Sequence, residues 1–273
     1  MPANLGNSEL ARARLEQAIA QGVEAGRRII PQILNETPQD EIQAASTTRL
    51  VVGPGFARYQ TKLGESPISD YALRQLLDRV GGAKFAAYAL EQIGASKPVP
   101  VIRRGMAQAE MDESQAWRAE VVQSIASRHL DRASGRYLVR RVGGQVRGVL
   151  SDSFRRVDCR PMLDAFLGAI QKIGAVPAGG SITETRAAVR VIVPRIFEPM
   201  PGEHVVYGLQ FCNSDFGAGT YAITDSLVRL LWLNGATGDQ QLRQVHIGKR
   251  LSGDVEFSRR THDYDNKTLI SAT

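Results

Sequence analysis

Eight arginines and no lysine stand among the thirty residues from Asp131 to Arg160: Arg132, Arg136, Arg140, Arg141, Arg147, Arg155, Arg156 and Arg160. Three acids, Asp131, Asp152 and Asp158, share the stretch, which therefore carries +5 of the chain's formal +6. Arginine grips phosphate through a bidentate fork and stacks on planar groups, which lysine does not. Tyr137 and Phe154 interleave with these cations. Charge that tracks a phosphate backbone, beside rings that accept any base, is the physical recipe for binding single strands. The expected contacts are Arg136, Tyr137, Arg140, Arg141, Arg147, Phe154, Arg155, Arg156 and Arg160, with Arg186 and Arg190 extending the basic face if their strand lies alongside. An equally open alternative has these arginines decorating a half-buried sheet and pairing with Asp131, Asp152 and Asp158.

Other chemistry finds less to work with. The sequence lacks a G-x-x-x-x-G-K-[ST] loop, and Gly53-Pro54-Gly55 lacks the third glycine and helix start of a dinucleotide site. Neither a G-x-S-x-G elbow nor H-E-x-x-H occurs. His129, His204, His246 and His262 are far apart, and His262-Asp263-Tyr264-Asp265 reads as a solvated tail. Asp152 and Asp158, with Asp215, are the candidates for a divalent-metal nuclease centre; turn residues or salt-bridge partners are the simpler reading. Cys159 and Cys212 read as reduced thiols of a cytoplasmic protein. No cofactor and no metal ligand are expected.

The elements that must position the arginines follow from periodicity. The chain has 273 residues, 43% of them hydrophobic and 23% charged, an ordinary globular mixture. Its longest apolar runs, such as Leu230–Leu233, fall far short of a membrane span, and the first residues lack the pattern of a secretory signal. Leu15, Ile19 and Val23 predict a helix over about residues 8–30, broken by Pro31 and Pro38. Leu50-Val51-Val52 before Gly53-Pro54-Gly55 reads as a strand and turn. Ser66-Pro67-Ile68-Ser69-Asp70 reads as a helix start, with Leu73, Leu76, Leu77 and Val80 on one stripe and Gly81-Gly82 as its stop. A short helix over about residues 83–93 and an extended Lys97-Pro98-Val99-Pro100 follow, then a helix marked by Trp117, Val121 and Ile125.

Behind residue 131 the period becomes two. Tyr137–Val139 and Val146–Leu150, separated by Gly143-Gly144, predict a basic β-hairpin near residues 136–150. A helix over about residues 160–173 comes next. Alternation at Ala187–Val193 and Val205–Phe211 then predicts strands, continued by residues 221–233 and closed by Asn234-Gly235. The expected fold is α+β, a helical N-terminal part packed with a largely antiparallel sheet. Its expected division is an N-terminal helical and extended region (1–65), a core (66–250) and a tail (251–273); the composition shift near residue 131 reads equally as a boundary or as part of one continuous domain.

Three ordered blocks resemble a known family. Val146-Arg147-Gly148-Val149-Leu150-Ser151-Asp152-Ser153-Phe154-Arg155-Arg156-Val157-Asp158 is similar to its R-A-V-L-S-D-R-Y-x-x-I-D block. Gly208–Gly217, containing Asn213-Ser214-Asp215, resembles its G-x-x-x-x-N-S-E-x-G signature, and Arg229–Gly235 its R-L-x-C-T-N-G signature. Ile68–Leu76 also fits. The family is the phage and plasmid group catalogued as domain of unknown function 932. Gly148, Ser153, Phe154, Trp232 and Leu233 depart from its pattern. The resemblance implies mobile elements in a bacterial cytoplasm. A weaker likeness to phage single-strand annealing proteins lies at the level of fold.

The expected function is a non-enzymatic protein that binds single-stranded DNA, or RNA, and promotes annealing or recombination as a homo-oligomeric ring or filament, away from membranes. The alternatives are the metal-dependent nuclease and an interaction protein, such as a host-defence inhibitor or structural phage component. Asn213, Ser214, Asp215 and Gly217 read first as a turn, and second as a binding loop.

Overall fold

The computed structural model describes residues 7–93, 108–230 and 240–246. In chain order its first half holds α1 (Asn7–Asn35), β1 (Gln39–Ala44), β2 (Arg49–Gly53), β3 (Phe56–Thr61), β4 (Gly64–Pro67), α2 (Asp70–Ile93) and α3 (Gln108–Arg132). The second half holds β5 (Arg136–Val142), β6 (Gln145–Ser151), α4 (Cys159–Lys172), β7 (Val176–Ile182), β8 (Ala187–Phe197), β9 (Val205–Asn213), β10 (Ala222–Arg229) and β11 (Gln240–His246). Every pairing between these strands is antiparallel, and the fold is α+β. The chain forms two compact units: Pro38–Phe154, and Met1–Thr37 together with Arg155–Thr273. The unit boundaries are thus 37/38 and 154/155, whereas position 65/66 falls inside β4 and residues 251–273 lie outside the described residues.

The unit Pro38–Phe154 carries two three-stranded sheets, ordered β1-β5-β6 and β2-β3-β4. Gly143 and Gly144 join β5 to β6 with φ of 58° and 79°, the left-handed pair that a two-residue hairpin turn demands. The helix starts at the last residue of the Ser66–Asp70 block, not at its first serine. Pro67 pairs with Arg58 on the edge strand β4, where a missing N–H is tolerated. Ser69 caps α2 instead, its Oγ accepting Ala72 N–H at 3.2 Å. Gly81 and Gly82 break α2 as expected, leaving Leu73, Leu76 and Leu77 buried before the kink and Ala86, Ala89 and Leu90 after it.

The side chains that marked α3 in the sequence are not the ones it buries most deeply. Ala119, Val122, Ala126 and Leu130 are buried, whereas Trp117 is 64% and Ile125 43% exposed. Small alanines let the helix approach its neighbours, and its bulkiest side chain faces solvent. Gln123 fixes this orientation, its Oε1 accepting Val52 N–H at 2.8 Å.

The other unit has one five-stranded sheet, ordered β11-β10-β9-β8-β7. Leu163, Phe166 and Ile170 of α4 pack with Val189, Val191 and Phe211, as the apolar spacing of α4 predicted. α1 lies against the edge strand β7, which the sequence reading missed because Val-Pro-Ala-Gly-Gly-Ser-Ile lacks a strand's usual residues. Gly22 makes the contact close: a Cβ there would stand 2.3 Å from Ala178 Cα. Pro31, expected to end α1, sits inside it. Its ring costs a helix about 3 kcal/mol. Burial of Ile29 and Ile33 in the same cluster as α4 contributes roughly 1.5–3 kcal/mol each and offsets that cost.

Candidate nucleic-acid interface

The hairpin arginines divide sharply by accessibility. Arg140 is wholly buried, and its Nε donates to Asp40 Oδ1 at 2.7 Å, directly across the β1–β5 ladder. Arg141 is 6% exposed; its Nη1 donates to Glu41 Oε2 at 2.7 Å and its Nη2 to Thr61 Oγ1. Tyr137 is 8% exposed, with the Arg79 guanidinium 5.5 Å from its ring centre. These three expected contacts are corrected. Their side chains belong to the interior of the Pro38–Phe154 unit, because β1 brings two carboxylates against β5 from a hundred residues upstream. Arg136 is exposed but donates to Asp152 at 3.1 Å, the simpler reading of that acid. Arg147 lies where the β5–β6 register shifts and is half-buried, as is Phe154.

The expected contacts from Arg155 onward belong to the other unit. Arg155, Arg156 and Arg190 are half-buried, while Arg160 and Arg186 are exposed. Arg160, in the first turn of α4, donates to Thr37 Oγ1 at 3.4 Å. Arg186, at the entrance to β8, donates through Nε to the Ala218 carbonyl at 2.8 Å. It rests against Gly219, where a Cβ would stand 3.1 Å from the guanidinium. Among the described residues neither guanidinium meets a carboxylate, so both charges remain open to an anion.

A small, open cleft lies beside Arg186. Ile33 and Glu36 of the α1 end, Thr183 and Thr185 of the β7–β8 turn, and Cys159, Asp215 and Phe216 line it. Glu36 precedes the Thr37 that receives Arg160, which places both arginines around this end of the unit. The Asn213–Gly217 block builds the floor, and it is a turn, the first of its two readings. Asp215 Oδ1 accepts Cys159 N–H at 2.7 Å, and Asn213 Nδ2 donates to the Val157 carbonyl at 2.7 Å. Ser214 Oγ donates to the Thr185 carbonyl and accepts from Phe216 N and Ala218 N. Gly217 completes the turn at φ 77°. Asp215 thus supplies the cap that the preceding residue, Asp158, does not give α4. Burial, and then the Asp215 carboxylate, push the Cys159 thiol far above its usual range, so it stays protonated.

Among the described residues no three His, Cys, Asp or Glu side chains converge as metal ligands. Two solvent-facing groups of the same unit escaped the sequence reading. Phe197, 42% exposed, ends β8 with the Arg195 guanidinium 5.4 Å from its ring centre. The alternation Arg195-Ile196-Phe197 was their available signal, but the predicted strand stopped at Val193, before the register shift between Ile192 and Ile196. Arg186 immediately precedes β8, Arg190 lies within it, and Arg195 with Phe197 stands at its far end, over about 35 Å of strand. No family model, curated protein or solved structure matches this chain.

Proposed function

We propose that the protein binds single-stranded nucleic acid through the unit of Met1–Thr37 and Arg155–Thr273. In this reading it promotes annealing or recombination of phage or plasmid DNA in the cytoplasm, as a homo-oligomer. The observation that carries the reading is the state of Arg160 and Arg186: exposed, permanently charged and hydrogen-bonded only to neutral oxygens among the described residues. A guanidinium already neutralised by a carboxylate gains little from a phosphate, and one resting on a hydroxyl or carbonyl keeps most of that attraction. Arg195 and Phe197 supply a cation and a stacking face at the far end of β8, where a flexible strand of several bases reaches both ends. Phe197 offers its face to an unpaired base, which a duplex keeps stacked inside.

Fluorescence anisotropy of labelled oligonucleotides across a salt series tests the reading. Single strands bind more tightly than duplexes, and the Arg160→Ala, Arg186→Ala double variant lowers the log affinity–log salt slope by about 1.4. Arg136→Ala, whose guanidinium is engaged by Asp152, leaves the slope in place. An unchanged slope in the double variant overturns the assignment.

A further inference from the structure

We propose that the outward face of β2, β3 and β4 is a second contact surface for single-stranded nucleic acid, with Phe56 as the ring on which a base stacks. The proposal rests on the nucleic-acid reading above and adds a contact in the Pro38–Phe154 unit, to which that reading assigns none. It starts at the Gly53-Pro54-Gly55 turn. Phe56 leaves that turn directly across the ladder from Gly53. A Cβ on Gly53 would collide with Phe56 Cε1 and Cζ, so the ring lies over the glycine, where no side chain lifts it away. One side of the ring is thereby covered, yet Phe56 is 49% exposed, which leaves the other side open to solvent. Beneath it Leu50, Val52 and Tyr59 are buried in the core of the unit, so the strands that carry the ring are held in place.

Charge names the occupant. Period-two alternation puts Arg58 and Gln60 on the same outward face as Phe56, over about 14 Å of strand. Arg49 stands directly across from Gln60, and Lys62 lies in the turn that follows β3; both are exposed. From Arg49 to Pro67 the sole acid is Glu65, and Arg58 already engages it at 3.1 Å. Arg49 and Lys62 meet no carboxylate among the described residues. The face therefore offers one ring, one neutral amide and two open cations. An acidic peptide would answer the cations and leave the ring unused, and a duplex would keep its bases from that ring. An unpaired strand uses both, with phosphates at Arg49 and Lys62 and a base on Phe56.

Binding of a labelled oligothymidylate to the full chain tests the proposal. Phe56→Leu keeps an apolar cover on Gly53 but has no π face, and it weakens binding by about fivefold or more in a chain whose circular dichroism is unchanged. Phe56→Trp retains the affinity. The Arg49→Ala, Lys62→Ala double variant lowers the log affinity–log salt slope by about 1.4. In the wild-type chain, an iodouracil-substituted oligonucleotide cross-links on irradiation to the segment holding Phe56, a readout that needs no variant. Wild-type affinity in Phe56→Leu, an unchanged slope in the double variant, or cross-links confined to the other unit each overturn the proposal. A polyglutamate peptide that binds as tightly as the oligonucleotide, and is weakened by Arg49→Ala with Lys62→Ala, makes the face an acidic-peptide site and overturns it too. The two assignments fail separately: a slope indifferent to Arg160 and Arg186 leaves the Phe56 result standing, and a neutral Phe56→Leu leaves those arginines standing.

Discussion

Arg140 is, among the described residues, the bulkiest side chain with essentially no solvent contact. A guanidinium does not shed its proton, so burial obliges the fold to supply a counter-charge. Asp40 does this from the adjacent strand, with the Oδ1 contact at 2.7 Å and a longer one from Nη2 to Oδ2 at 3.4 Å. The two partners are unequally placed, because the Asp40 side chain keeps 19% of its exposure and Arg140 none. Removing the acid therefore harms more than its small size suggests. Asp40→Ala leaves a buried cation without its carboxylate and destabilises by about 3–5 kcal/mol. Replacing both, as Asp40→Leu with Arg140→Met, recovers most of that loss, since an apolar pair of similar volume carries no desolvation cost. Urea unfolding of the single and double variants checks this. An Asp40→Ala midpoint equal to wild type would remove the pair from the list of stabilising contacts.

Glycine shows how one substitution takes opposite signs on two helices. Ala in place of Gly ordinarily favours a helix by up to about 1 kcal/mol. At Gly168 of α4 a Cβ meets nothing within 4 Å, so Gly168→Ala raises stability by about that amount. At Gly22 of α1 the same Cβ stands 2.3 Å from both Ala178 Cα and the Pro177 carbonyl oxygen, backbone atoms that cannot rotate away. Overpacking of this kind costs about 1–3 kcal/mol, so Gly22→Ala is net destabilising. Paired thermal melts read the two signs, and a stabilised Gly22→Ala would mean that α1 does not bear on β7. The elements legible in the sequence are those whose cause is local: the Gly143-Gly144 hairpin, the Gly81-Gly82 break and the apolar stripe of α4. Others depend on a distant neighbour. The continuation of α1 through Pro31 needs the cluster around Phe166, the burial of Ala119 and Ala126 needs the core they face, and β7 is held by the helix lying on it. The site follows the same rule, because nothing near Arg140 in sequence announces Asp40, whereas Arg160 and Arg186 stay as open as their neighbours in sequence suggest.

At the scale of the whole chain, the basic stretch that dominates the sequence is shared between two units. Arg132 through Arg147 belong to Pro38–Phe154, and Arg155 through Arg160 to the other. Pro38–Phe154 is continuous in sequence and has its own core, in which Leu50, Tyr59, Leu73, Leu76, Ala126, Leu130 and Val149 are buried together. A segment with its own core and both ends at a unit boundary is expected to fold alone. Expressed by itself, residues 38–154 should give one cooperative thermal transition by far- and near-ultraviolet circular dichroism, whereas a broad, non-coincident melt would show that it needs the rest of the chain. Tyr59 gives that transition a pH signature. Its ring is fully buried and its hydroxyl donates to Thr48 Oγ1 at 2.8 Å, and burial drives its ionisation well above the usual value. Burial moves Tyr137 in the same direction. A raised acid keeps its proton in the fold and loses it more readily in the unfolded chain, so the stabilisation is complete below the unfolded value near ~10 and declines as pH rises beyond it. The melting temperature of the fragment should therefore be level below that pH and fall above it, and Tyr59→Phe should flatten the fall at the cost of the hydrogen bond to Thr48. A fall of equal steepness in Tyr59→Phe would transfer the effect to Tyr137, whose Phe variant then carries the same test.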